Sequence, residues 1–276
     1  MSKMHECAAA LSLRWSGMTH RGHVRPNNED AFLALNFDAH EVHFLGKTGE
    51  ATLAEADFVF AVSDGMGGAR SGEFASRIAV DGITRLLPRS FKARAQGLST
   101  GFDDILSELF DTIHRDMTKL GQSYDECSGM GATLSLVWVT PGRVHFGHIG
   151  DSRIYLQSKA GPLQQVSHDH SFVGWQRRTG KLNEREARGH PRRNVLNQSL
   201  GAGNQFIDPH IGTVLYEPGD RFLICSDGVV DGLWDQNIEE ILRSPDADTV
   251  TAQRVVEAAL ARSGRDNTTA VVLEMA

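Results

Sequence analysis

Two apolar runs of the same design constrain this chain most: Phe58-Val-Phe-Ala-Val-Ser-Asp64-Gly65 and Phe222-Leu-Ile-Cys-Ser-Asp227-Gly228. Each reads as a buried strand that delivers a carboxylate at its end. A glycine directly after each acid permits either a positive φ angle or a backbone approach that a Cβ would block. Other acids are placed in the same way. Asp151 follows a run ending His148-Ile149-Gly150, Asp266 in Gly264-Arg-Asp-Asn267 precedes the last strand-like run, and Glu29 and Asp30 open Ala31 to Phe37. If these ends converge, up to six carboxylates share one cleft. Taken singly, each Asp-Gly is a turn signal; together they ask for a common explanation.

Strand-like runs also cover Ala31 to Phe37, Phe58 to Ser63, Thr133 to Thr140, Arg143 to Ile149, Arg153 to Gln157, Arg221 to Ser226 and Thr268 to Met275. Amphipathic spacing predicts a helix from Phe74 through Ile78, Ile83 and Leu87, stopped by Pro88. A second helix carries Ile105, Leu109, Phe110, Ile113, Met117 and Leu120 on one face. Late helices are predicted over Asn237 to Arg243 and Thr249 to Arg262. Strands in groups and helices in pairs argue for antiparallel sheets with helices on their outer faces, an α+β sandwich. The expected organisation is a short N-terminal extension, 1–16, and a single domain, 17–276. Two embellishments stand out: Asn36 to Asp57, a surface hairpin or loop, and His168 to Gly203, a flap with seven Arg or Lys.

The 276 residues are 40% hydrophobic and 23% charged, the composition of a folded, soluble protein. A formal charge of −7 removes the general pull toward nucleic acid or anionic membranes. No stretch is long and apolar enough for a membrane span, and the N-terminus shows no signal-peptide pattern. Cys7, Cys127 and Cys225 are far apart and in no CxxC pair, which suits a reducing cytoplasm and offers neither a zinc site nor a disulfide framework.

Clustered carboxylates need counter-cations, because each one removed from water costs several kcal/mol and its neighbours repel it. All-oxygen ligands suit hard divalent ions such as Mg²⁺ or Mn²⁺. Two such ions can activate water for in-line attack on phosphorus, without a covalent enzyme intermediate. His168 and His170 form an HxH pair read as an ordinary loop feature apart from the acids.

The ordered set Arg25-Pro-Asn-Asn-Glu29-Asp30-Ala31, Asp64-Gly65-Met66-Gly67-Gly68, Gly131-Ala132-Thr133, Gly150-Asp151-Ser152-Arg153, Ser226-Asp227-Gly228 and Asp266-Asn267 resembles the bacterial Ser/Thr branch of the PPM metal-dependent protein phosphatases. Each motif alone is weak; six in order are specific. The resemblance implies a four-layer α-β-β-α sandwich of two antiparallel sheets, with a metal centre at one edge. It implies that Asp64 bridges two Mn²⁺ or Mg²⁺ ions, that the Gly65 carbonyl ligates the second, and that Asp227 and Asp266 hold the first. Glu29 and Asp30 act directly or through bound water, and Asp151 with Asp227 holds a third, weaker metal. Arg25 matches the arginine that grips the substrate phosphate, a role suited to its bidentate fork. The implied activity is hydrolysis of phosphoserine and phosphothreonine in proteins, opposed by a Ser/Thr kinase, by a cytoplasmic monomer.

Departures from the family pattern bear on the chemistry. Met66 stands where eukaryotic relatives carry a His proposed as general acid, so leaving-group protonation is unassigned. Ala69 stands where bacterial members often have His, and the 36–57 insertion is longer than expected. Gly150-Asp151-Ser152 superficially matches GDS-type esterases, but no Asp-x-x-His follows. The alternative of another class is a catalytically weak, phosphatase-like binding or regulatory module; a missing acidic ligand would be its sign, and every position is filled.

Overall fold

In the run Phe58 to Val62 neighbouring side chains enter two different cores: Phe58, Phe60 and Val62 pack in one, Val59 and Ala61 in another. That is the period-two alternation of a strand buried on both faces. The computed structural model describes residues 11–38, 41–54, 56–67, 71–95, 101–244 and 250–276. Gly68, Ala69 and Thr249 lie outside them.

In chain order the strands and helices are β1 Ser12–His20, β2 Asp30–Phe37, β3 Val42–Phe44, β4 Thr48–Thr52, β5 Asp57–Met66, α1 Ser71–Ala95, α2 Phe102–Ser123, β6 Gly131–Ala132, β7 Leu134–Thr140, β8 Arg143–Ile149 and β9 Arg153–Gln157. There follow β10 Leu163–Gln165, α3 Phe172–Arg178, α4 Glu184–Gly189, β11 Leu200–Gly201, β12 His210–Leu215, β13 Arg221–Cys225, α5 Asp227–Gly232, α6 Asp235–Arg243, α7 Thr251–Arg262 and β14 Thr268–Met275. One sheet runs β10-β9-β13-β14-β1-β4; the other runs β11-β6-β5-β7-β8-β12, with β2 on β5 and β3 on β2. Pairing is antiparallel throughout these strands.

Three apolar clusters separate four layers, as the α+β sandwich reading requires. Trp15, Phe58, Phe60, Phe222 and Ile224 fill the space between the sheets. Val59, Ala61, Leu136 and Trp138 turn outward against α1 and α2, whose stripes Ala75, Ala79, Ile83 and Ile105, Leu109, Ile113 close that face. Leu223, Cys225 and Val272 face Val255, Val256 and Ala259 of α7. Each fully buried Val, Leu, Ile or Phe adds about 1.5–3 kcal/mol relative to exposure, so the clusters fix the layer order.

The structure departs from four expectations. The boundary at residue 16 falls inside β1, whose Leu13 and Trp15 are core side chains, so residues 12–16 belong to the sheet and not to an extension. Helix α1 continues through Pro88 to Ala95; a proline removes one helical hydrogen bond, and the burial of Ala75, Ala79, Ile83 and Leu87 before it holds the helix. The 36–57 insertion is not a self-paired hairpin: β3 extends one sheet beside β2, and β4 extends the other beside β1. The flap contains α3 and α4, and two of its six arginines are ion-paired, Arg177 with Asp235 and Arg188 with Glu184, while Arg178, Arg185, Arg192 and Arg193 are exposed.

Candidate metal centre

The acids stand where strands of both sheets end. Asp30 opens β2 directly opposite Asp64 of β5, and Asp151 follows β8 in the same sheet. From the other sheet, Asp227 follows β13 and Asp266 precedes β14. They meet at a cleft of about 450 Å³ lined by Glu29, Asp64, Asp151, Asp227 and Asp266, with Arg25 as the one cation among the described residues of its lining. Asp30 sits below this surface, buried beside Asp64.

Local bonds explain how the acids are held. Thr133 brackets Asp64: its Oγ1 accepts the Asp64 N–H at 2.9 Å and its own N–H donates to the Asp64 carbonyl at 2.8 Å. Asn267 fixes the segment carrying Arg25 and Glu29, accepting the Glu29 N–H at 2.7 Å and donating to the Arg21 and Asn27 carbonyls at 2.9 Å each. The glycines after Asp64 and Asp227 serve close approach, since neither takes a positive φ. A Cβ on Gly65 would lie 1.8 Å from the Gly72 carbonyl oxygen, and one on Gly228 would lie 2.0 Å from that of Asn267.

Electrostatically the acids outnumber the cations among the described residues of the cleft. Burial, followed by Asp30, Asp227, Asp151 and Asp266, holds the Asp64 carboxyl well above the usual range. Asp227 is raised by burial and then by Asp151, Asp266 and Asp231. Burial lifts Asp151 to about 7, with Asp169 adding and Arg153 opposing. Asp30 is lifted to about 6 by burial, against the hydroxyls of Thr269 and Ser226. Glu29 is raised by burial and lowered by Arg25. Arg25 donates to Asp266 Oδ2 at 2.6 Å, a bond that raises its own pKa.

Among the described residues no three Asp, Glu, His or Cys side chains form a ready-made metal-holding group; the acids line an open cleft. Two observations nonetheless fit divalent cations. Asp30 Oδ1 and Asp227 Oδ1 are buried without a hydrogen-bond partner, whereas buried polar atoms are ordinarily paired. Among the described residues the lining also offers carboxylates and no Cys or His, the donor chemistry of hard ions.

Sequence reasoning overlooked Asp231, and it placed Asn194 only within the 168–203 flap and not among the site residues. Asp231 raises Asp151 and Asp227 and lines an adjoining cavity of about 70 Å³ with them. Its signal was legible: it lies four residues after Asp227 on α5, hence on the same helical face. Asn194 lines both cavities. The HxH pair is nearer the acids than expected. His170 Nδ1 accepts the Gly150 N–H at 3.1 Å, the His170 N–H donates to the Gly150 carbonyl at 2.7 Å, and the ring stacks on His148. It therefore braces the backbone just before Asp151.

Residues 47–262 match the family model described as protein phosphatase 2C. The chain is 31% identical over 96% of its length to the serine/threonine protein phosphatase PstP of Mycobacterium tuberculosis, of which it spans 45%. It is 30% identical to the serine/threonine phosphatase stp of Listeria monocytogenes, covering 93% of each chain. Among solved structures, M. tuberculosis PstP superposes with a TM-score of 0.76 at 29% identity, over 95% of this chain and 98% of that one. The PstP catalytic domain in complex with two manganese ions gives 0.72 at 29% identity, over 96% and 99%.

Proposed function

The chain belongs to the protein phosphatase 2C family, and from that membership we propose that it hydrolyses phosphoserine and phosphothreonine in proteins with the help of divalent cations. The observation that carries the reading is the gathering of six carboxylates from two sheets around one cleft with, among the described residues, a single arginine in its lining. We assign Asp64, Gly65, Asp227 and Asp266 to a pair of Mn²⁺ or Mg²⁺ ions, with Glu29 and Asp30 supporting them and Asp151 at a third, weaker position. When bound, such ions offset the clustered charge and lower the pKa of water, making it a nucleophile toward phosphorus.

The protein's own groups do the positioning. Arg25, half exposed and tied to Asp266 through one nitrogen, presents its guanidinium to the cleft, where charge-assisted bonds orient a phosphate. Asp64, gripped at its own N–H and carbonyl by Thr133, projects from a rigid strand rather than a loop. Pro26, Met66 and Leu196 supply the apolar part of the lining, against which the substrate's side chain and backbone can rest.

The partner in this reading is a phosphorylated protein, counteracted by a Ser/Thr kinase, and the chain acts as a monomer in the cytoplasm. The net charge of −7 supports the absence of nucleic-acid and membrane partners, and no helix among the described residues is long and apolar enough to cross a membrane. The test is Mn²⁺-dependent phosphate release from a phosphothreonine peptide. Turnover that disappears in Asp64→Ala together with Mn²⁺ affinity is expected; no release at saturating Mn²⁺ from the parent chain would favour a binding module. Equal Mn²⁺ affinity in Asp64→Ala and the parent would contradict the assignment of Asp64.

A further inference from the structure

The backbone that leads into Asp151 is held more closely than a strand end requires. Gly150 is buried and takes a φ of 106°, where most side chains are excluded; a Cβ there would lie 2.5 Å from Thr133 Cγ2. Two peptide planes meet at Gly150, and His170 bonds to each. Its Nδ1 accepts the Gly150 N–H at 3.1 Å, on the plane shared with Ile149. Its own N–H donates to the Gly150 carbonyl at 2.7 Å, on the plane shared with Asp151. His148 Nε2 lies 3.1 Å from the same carbonyl, and Ser135 Oγ lies 2.8 Å from His148 Nδ1.

The backbone groups set the direction of these bonds. A carbonyl only accepts and a backbone N–H only donates, so His148 carries a proton on Nε2 and His170 carries none on Nδ1. The two rings stack with centroids 5.2 Å apart at 23°, and each limits the tilt of the other. Because a peptide unit is planar, the two donors on the Gly150 carbonyl fix the direction in which the Cα of Asp151 leaves. On the far side, Ser152 Oγ lies 2.6 Å from Thr133 Oγ1, which accepts the Asp64 N–H at 2.9 Å. Asp151, which lines the cleft, is therefore gripped before and after. His170 also stands at the root of the flap: its carbonyl accepts the Asn197 N–H at 2.7 Å, and Ser171 bridges Leu196. The segment that brings Asn194 and Leu196 to the cleft is thus joined to the residue that holds Gly150.

We propose that His170, backed by His148, is a positioning residue that sets how strongly the third cation position at Asp151 binds, without acting on the pair assigned to Asp64, Asp227 and Asp266. The inference rests on the reading of Asp151 as serving that third position. Outer partners that fix the orientation of metal-binding groups cost about 10–100-fold in affinity or activity when lost.

The experiment is calorimetric titration of the full chain with Mn²⁺ in the parent, Asp151→Asn, His170→Leu and His170→Asn, with urea unfolding of each in a chelator as a control. The parent should show a tighter and a weaker class of Mn²⁺ sites, and Asp151→Asn should lose the weaker class. Leucine keeps bulk but offers the Gly150 N–H no acceptor; asparagine places an oxygen where Nδ1 stood. His170→Leu should weaken the weaker class about tenfold and leave the tighter class at the parent affinity, and His170→Asn should return toward the parent. His170→Gln, whose amide reaches past the Nδ1 position, should behave as His170→Leu and serves if that variant does not fold. A parent-like weaker class in folded His170→Leu or His170→Gln, with that class lost in Asp151→Asn, overturns the inference alone. Equal weakening of both classes overturns it too, because general loosening of the fold would do the same. So does a His170→Asn variant as weak as His170→Leu, since the ring and not the accepted bond would then matter. An Asp151→Asn titration identical to the parent's overturns the third position and this inference with it, and a parent chain that takes up no Mn²⁺ overturns the metal centre as well.

Discussion

Without cations the cleft should destabilise its own fold in a pH-dependent way, and Asp151→Asn is the substitution that exposes this. Burial places the Asp151 carboxyl at about 7 against an ordinary value of 3.8. Below the ordinary value both the folded and unfolded states keep the proton, and the group contributes no difference. Between 3.8 and about 7 the folded state holds a proton that the unfolded state has released, so stability falls as pH rises, by about 1.4 kcal/mol per pH unit. Across that window the loss from Asp151 alone comes to about 4 kcal/mol, a large fraction of the roughly 5–15 kcal/mol of a typical domain. Asparagine cannot titrate. Measured by urea unfolding in a chelator, Asp151→Asn should therefore gain on the parent steadily from pH 4 to pH 7 and hold its advantage above that. Excess Mn²⁺ should narrow that advantage, because the parent alone keeps the carboxylate assigned to the third position. A stability difference that stays flat across this range in chelator would refute the argument that burial and like charges raise these acids.

Two further substitutions probe neighbouring features. Arg25→Ala should lower kcat/KM on phosphopeptides by the worth of a charged hydrogen bond, about 1.5–3 kcal/mol, with Mn²⁺ affinity little changed; an unchanged kcat/KM would remove Arg25 from phosphate binding. Asp169→Ala should cost about 3–5 kcal/mol in urea unfolding, because it strands the buried Arg153 guanidinium that Asp169 grips through three contacts of 2.7–3.1 Å. A loss under 1 kcal/mol, on the scale of a surface ion pair, would show that water reaches Arg153.

The element types and the candidate acids were legible because their signals are local. Period-two apolar runs mark β5, β8, β9 and β14, and the helical stripe of α2 is written in Ile105, Leu109, Ile113 and Met117. A strand followed by Asp-Gly states by itself that a carboxylate will sit at a strand end. Asp231 was also locally encoded, by its spacing of four from Asp227 on a helix, but its neighbours Asp151 and Asn194 come from distant segments and gave it no context.

Sequence alone determined that acids would stand at strand ends, that the sheets would be covered by helices, and that the cleft would be acidic. Tertiary structure decided which ends meet. It settled that Gly65 and Gly228 answer to oncoming backbone and not to φ, that β3 and β4 divide the insertion between both sheets, and that α1 survives Pro88. It also placed His170 against Gly150 and left Asp30 Oδ1 unpartnered. The physical reason is range: propensity and periodicity act over a few residues, whereas close approach, burial and repulsion between charges depend on segments such as Asp30 and Ser226, 196 residues apart in the chain and 2.7 Å apart in the fold.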